Sequence, residues 1–121
     1  MTVSGPGFLS LQVRDVARSA RFYEDYLGFT RQAGPPSAVV FGTQPAAFAV
    51  REPFPGVDLD SGEQLGFGIG VWLHAEDVQG IHDRFVTDGV AVSGPPVDGP
   101  FGRTFTFTDP DGYRITLHDR A

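Results

Sequence analysis

The feature that most limits what this chain can become is a layout that occurs twice, with a period of about sixty residues. The first copy is "FLSLQVRDVARSARFYEDYLGF" and the second "FGIGVWLHAEDVQGIHDRFVTDGV". Each runs from an alternating strand through an aspartate into a helix that stops at a glycine. Asp15 and Asp77 stand where a helix needs an N-cap, able to accept backbone N–H bonds and to complement the positive end of the helix dipole. Val16, Ala20, Tyr23 and Leu27 then recur at helical spacing, and Val78, Ile81 and Phe85 do the same in the second copy. Gly28 and Gly89 fit the left-handed position that closes a helix.

Short strands are predicted after each helix: near residues 30–32, 38–42 and 47–52 in the first copy, and near 90–92, 102–108 and 113–118 in the second. Turn clusters such as "AGPP", "GTQP" and "SGPPVDGP" separate them, and 16 Gly and 10 Pro favour many short elements over long helices. The expected fold class is therefore α+β, built from two βαβββ modules. Module one covers about residues 6–53 and module two about 65–120 of a single domain, 1–121, joined through the acidic junction "PFPGVDLDSGEQLG".

Period-2 alternation assigns faces to the first strand of each module. Leu9, Leu11 and Val13 point toward the helix, leaving Phe8, Ser10 and Gln12 on the other side. In the second copy Ile69, Val71 and Leu73 form the helix-facing row, and Gly68, Gly70, Trp72 and His74 the opposite one. The opposite faces mix aromatic, small and polar residues, which suits a ligand cleft better than a second dry core.

One stretch, "FTFTDPDGYRITLHD", gathers Asp109, Asp111, His118 and Asp119 and raises the question of a metal or acid/base site. A calcium loop of the EF-hand kind fails, because its closing Glu position falls on Arg120 and a proline follows its first aspartate. A turn accounts for the residues instead. Asp109 supplies a side-chain acceptor, Pro110 pre-sets φ and Gly112 accepts a positive φ, between the alternating pairs Phe105, Phe107 and Ile115, Leu117.

The net charge of −6 and a pI near 4.8 argue against a nucleic-acid role, since phosphate binding needs a basic face and the nine basic residues, all arginines, are scattered without a cluster. The acidic residues Glu52, Asp58, Asp60 and Glu63 form either a solvated loop or a rim that attracts a cationic ligand. The absence of cysteine excludes disulfides, thiolate zinc sites and a cysteine nucleophile. No basic leader and no apolar run approaching about 18 residues is present, so no membrane association and a cytoplasmic location are expected.

Together, "LQVRDVARSARFYEDYLGF" and "PFGRTFTFTDPDGYRITL" resemble the vicinal oxygen chelate superfamily, which includes glyoxalases, extradiol dioxygenases and bleomycin resistance proteins. The resemblance implies paired βαβββ modules whose curved mixed sheets enclose a cleft, commonly completed in a homodimer. Metal-dependent members place His, Glu or Gln ligands on the cleft face of the first and last strands of each module. Carried over by strand register, those positions are Phe8, Ala49, Gly70 and Thr116, of which only a lone hydroxyl offers a donor. A one-residue shift brings in Leu9, Val71 or Leu117 and is no better. No metal and no cofactor are expected, and metal-dependent chemistry loses its Lewis acid.

His74 and His118 share cleft-side parity and form a candidate alternative metal or acid/base pair, whereas His82, on a helix, reads as solvated. Trp72 stands beside Gly68 and Gly70, which leave a shallow floor next to a large π-surface; Phe8 and Phe101 add stacking area. An aromatic planar ligand fits, and a cationic one gains a cation–π term. The expected lining set is Phe8, Gln12, Trp72, Phe101, Arg114 and Thr116, completed by Ser10, Ala49, Gly70 and His74. The resulting expectation is a metal-independent small-molecule binding protein of the bleomycin-resistance-like kind, conferring resistance by sequestering an antibiotic or aromatic metabolite. The alternative is a glyoxalase-like or dioxygenase-like lyase or isomerase with displaced metal ligands or a histidine-based metal-free site.

Overall fold

Both predicted caps form. In the computed structural model, which describes residues 2–120, the Asp15 carboxylate accepts from the Arg18 N–H at 3.1 Å and that of Asp77 from the Gly80 N–H at 3.0 Å. They open helices α1 (Val16–Leu27) and α2 (Val78–Asp88). Gly28 and Gly89 close them with φ of 69° and 79°, values that cost a residue without Cβ little. Met1 and Ala121, the ends of the expected domain, lie outside the described residues.

The chain divides into two compact units, Met1–Ser61 and Gly62–Ala121. In the first, strands β1 (Phe8–Gln12), β2 (Arg31–Gln32), β3 (Ala38–Phe41) and β4 (Ala47–Arg51) form one open sheet in the order β1-β4-β3-β2. The second repeats this plan with β5 (Val71–His74), β6 (Val97–Gly99), β7 (Gly102–Thr108) and β8 (Arg114–His118), ordered β5-β8-β7-β6. The first strand of each unit pairs in parallel with the last and the other pairs are antiparallel, so each is the predicted α+β βαβββ module with a mixed sheet.

The cores follow from the alternation. In the first unit Tyr23 packs 5.0 Å from Phe48 and stacks on Phe29 at 5.9 Å, above buried Phe41 and Val50. In the second, Phe85 meets Phe107 at 4.9 Å and Phe105 at 6.0 Å, over buried Ile115 and Leu117. Tyr23 and Phe85 hold the same offset from their capping aspartates, so one aromatic anchor pins each helix to its sheet. Removing such a ring from water contributes about 2–3 kcal/mol.

Three details depart from the sequence reading. Strand β5 begins at Val71, so Ile69, expected in the helix-facing row, is 73% exposed and Gly68 takes a φ of 86°. The "DSGEQLGFG" stretch before it turns repeatedly, which removes the chain from the ladder. The strand expected at residues 90–92 is reduced to a single bridge from Val92 to Phe107, and the "SGPPVDGP" cluster carries β6 instead. Pro95 and Pro96 have no N–H to donate and interrupt what would otherwise be one edge strand along β7. His82 is not solvated: its side chain is 12% exposed and its ring meets Phe105 edge-on at 5.2 Å. It holds the offset of fully buried Ala20, so the repeat places it facing the sheet.

Among the described residues no helix is long and apolar enough to cross a membrane.

Candidate functional site

In the second unit, strand parity puts Phe105, Phe107, Ile115 and Leu117 against α2. The other face is left to Trp72 and His74 on β5, Arg114, Thr116 and His118 on β8, and Thr104, Thr106 and Thr108 on β7. Register aligns these into rows. Trp72, Thr116 and Thr106 lie side by side, as do His74, His118 and Thr104, with Arg114 opposite Thr108.

The aromatic part of the face is assembled by the β6–β7 hairpin. Its Pro100-Phe101 turn ends at Gly102, whose φ of 82° and close approach to Asp119 and Arg120 leave no room for a Cβ. The Asp119 carboxylate accepts from the Arg103 N–H at 2.8 Å, and the Phe101 carbonyl accepts from the Arg120 N–H at 3.1 Å. Phe101 is thereby held against Trp72, edge to face at 5.5 Å, with His118 at 5.9 Å from the same indole. On its other side the indole leans over Gly70, where an added Cβ would stand 3.4 Å from Nε1. Trp72 and Phe101 are 49% and 52% exposed, so the pair presents open π-surface.

The polar groups are partly committed. Thr106 and Thr116 share a hydrogen bond, Oγ1 to Oγ1, at 2.7 Å. One hydroxyl proton is used between them and the other stays available. His118 Nδ1 lies 2.7 Å from the Arg120 carbonyl; a carbonyl accepts, so Nδ1 carries the hydrogen and Nε2 of the neutral ring is an acceptor. The His74 ring is edge-on to His118 at 5.9 Å. Beside this row a concavity of about 530 Å³ is lined by Val92, Ser93, Thr106, Thr108 and Arg114.

The second unit thus brings together Gly70, Trp72, His74, Phe101, Arg114 and Thr116 of the expected lining set. Phe8, Ser10, Gln12 and Ala49 belong to the first unit. There Phe8 and Ser10 are exposed, whereas the Gln12 amide oxygen accepts from the Phe54 N–H at 2.8 Å and so anchors the chain leaving β4. Ala49, between Ser10 and Val40 in the sheet, is 1% exposed, its methyl too short to reach past its neighbours. Thr106, Thr108 and Ser93 were not in the expected set. The alternation "TFTFT" carried the signal for the threonines, since Phe105 and Phe107 already fixed the buried parity.

The structure also bears on "TDPDG". Asp109, 4% exposed, accepts through Oδ1 from the N–H groups of Asp111, Gly112 and Tyr113 at 2.9, 3.0 and 2.9 Å. That carboxylate builds the hairpin between β7 and β8.

With this geometry in place, comparison with known proteins gives the family. The model of the Glyoxalase/Bleomycin resistance protein/Dioxygenase superfamily matches residues 5–117. The chain belongs to that superfamily. No curated protein matches the sequence. Among solved structures, this superfamily member is similar to TnmS3, an antibiotic binding protein from Streptomyces sp. CB03234. Identity is 28%, the TM-score is 0.75, and 100% of this chain and 99% of that one are covered. A glyoxalase/bleomycin resistance protein from the same strain also matches at 28% identity, with a TM-score of 0.72 and coverage of 95% and 100%. Lactoylglutathione lyase from Agrobacterium tumefaciens shares the fold at 19% identity, with a TM-score of 0.72 and coverage of 98% and 96%.

Enzymes of this superfamily lead one to ask whether a metal fits, and the residues present do not fit one. At the four corresponding positions stand an exposed phenyl ring, a buried methyl, a glycine beneath an indole and a hydroxyl already bonded to Thr106. Among the described residues no group of three or more His, Asp or Glu side chains is placed to hold a metal ion.

Proposed function

We propose that this superfamily member is a metal-independent binding protein for an aromatic small molecule, an antibiotic or related metabolite, acting by sequestration. The observation that carries the reading is the Trp72–Phe101 pair, 5.5 Å apart and half exposed, beside Gly70 and Thr116, two of the positions where the superfamily resemblance implies metal ligands. Open π-surface of this kind binds planar rings by stacking, with the Thr106–Thr116 hydroxyls and His118 Nε2 orienting the ligand's polar edge. The similarity to the antibiotic binding protein TnmS3 supports the same reading. A cytoplasmic location and assembly as a homodimer belong to this proposal; exposed Phe67 and Ile69 supply apolar surface for a second copy.

Trp72 is the chain's one tryptophan, so its emission reports this site alone. Titration with a panel of planar aromatic antibiotics should give saturable quenching by at least one member, unchanged by EDTA. Absence of saturable quenching across the panel contradicts the proposal.

One observation favours a second reading, metal-free acid/base catalysis. His118 Nε2 is left as an acceptor beside Trp72, with His74 next to it. Loss of turnover in His118→Ala with ligand affinity retained would establish that reading.

A further inference from the structure

The net charge of −6 suggests a cationic ligand, but the charge at the concavity is positive. Arg114 makes no hydrogen bond or ion pair through its guanidinium among the described residues. Other arginines of this chain are engaged: Arg14 with Asp60 at 2.7 Å, Arg31 with Glu24 at 2.7 Å, and Arg103 with Asp98 at 3.0 Å. The carboxylates just ahead of its strand, Asp109 and Asp111, are buried in the hairpin turn. An arginine left without a carboxylate in an acidic protein, at the wall of a concavity, offers a planar array of donors matched to an anion.

The rest of the wall agrees. Thr108 lies directly across from Arg114 in the β7–β8 register, and Ser93 follows the Val92 bridge to β7, its backbone N–H bonded to the Thr106 carbonyl at 2.9 Å. The hydroxyls of Thr108 and Ser93 bond to no group among the described residues, and both line the concavity with Arg114. Three donor groups thus converge on one space, with Val92 as its only wholly apolar wall.

Placement relative to the aromatic pair sets the shape of the ligand. Arg114 and Thr116 are two residues apart on β8 and share a face, a separation of about 7 Å along the strand. Thr116 stands beside Trp72. We infer that the site takes an aromatic acid: a planar ring system on Trp72 and Phe101 carrying an anionic group, a carboxylate or acidic phenolate, that is bound by Arg114, Thr108 and Ser93. This rests on the aromatic-binding reading and specifies its ligand.

The experiment uses three acid–amide pairs of increasing ring count: benzoate, 2-naphthoate and anthraquinone-2-carboxylate, each against its carboxamide. Affinity is read by calorimetry and location by Trp72 emission, in native protein, Arg114→Lys and Arg114→Gln. The expected result is that the best-fitting acid binds about tenfold tighter than its amide in the native protein. Arg114→Lys keeps part of that preference and Arg114→Gln abolishes it. Equal binding of acid and amide, unaffected by Arg114→Gln, overturns the anionic subsite and leaves aromatic binding standing. If no acid or amide perturbs Trp72, the aromatic reading falls and this inference falls with it.

Discussion

Thr116 Oγ1 lies 2.7 Å from Thr106 Oγ1 across the antiparallel β7–β8 pair, so the position that the superfamily resemblance assigns to a last metal ligand holds a hydroxyl bonded to its own sheet. Because both side chains are partly buried, losing one partner strands the other. Thr116→Val is expected to cost about 1 kcal/mol in chemical denaturation, and adding Thr106→Val should recover part of it, since removing both partners leaves no unsatisfied hydroxyl. Strictly additive losses would show that the two hydroxyls do not cooperate.

Asp109 does its work on the backbone. Three N–H groups converge on its Oδ1 inside the β7–β8 turn. Asp109→Ala is expected to lower unfolding free energy by about 2–3 kcal/mol, as befits lost hydrogen bonds to a charged acceptor. A wild-type midpoint together with lost ligand binding would instead make Asp109 a site residue.

Gly80 and Asp77 are coupled. Alanine at an exposed helical glycine normally stabilises by about 1 kcal/mol, but a Cβ built on Gly80 runs into the Asp77 carboxylate that caps α2. Gly80→Ala should therefore be close to neutral in the native protein and stabilising by about 1 kcal/mol in an Asp77→Ala background. Equal effects in the two backgrounds would mean that the cap and the glycine are independent.

The β6–β7 hairpin that carries Phe101 is tied by Arg103, whose Nε and Nη2 bond Asp98 at 3.0 and 3.1 Å. That hydrogen-bonded guanidinium holds the Asp98 carboxyl below the usual carboxylate range. A carboxyl lowered on folding adds stability that is fully present above its unfolded pKa, about 3.9, and is lost as pH falls through its folded value. Carbon-detected NMR titration should find Asp98 below about 3.9 in the native protein and back in the ordinary range in Arg103→Gln. Identical titration in both proteins would show that the pair does not form in solution.

Much of this fold is legible in the chain because local and global signals agree. Asp15 and Asp77 cap, Gly28 and Gly89 close, and the alternation of Phe105 and Phe107 with threonines fixes the buried face. What escaped the sequence depended on context. Ile69 alternates correctly with Val71, yet the glycine-rich turn ahead of it keeps it out of the ladder. His82 reads as a polar helical residue until the repeat is aligned at the caps, when it falls on the offset of buried Ala20. Within the site, Trp72, Phe101 and Thr116 were visible from parity and motif. Ser93 was not, because its place beside Thr106 depends on how Pro95 and Pro96 break the edge of the sheet. The freedom of Arg114 was also invisible, since pairing partners are set by tertiary position.

Metal-independent recognition on this face is tested most directly by 1H–15N chemical-shift mapping with a planar aromatic ligand in the presence of EDTA. The Trp72 indole Nε1–H and the amides of Phe101, Thr106 and Arg114 should shift together and saturate without metal. Shifts that require an added divalent ion, or that leave Trp72 and Phe101 unmoved while the ligand binds elsewhere, would contradict metal-independent recognition on this face.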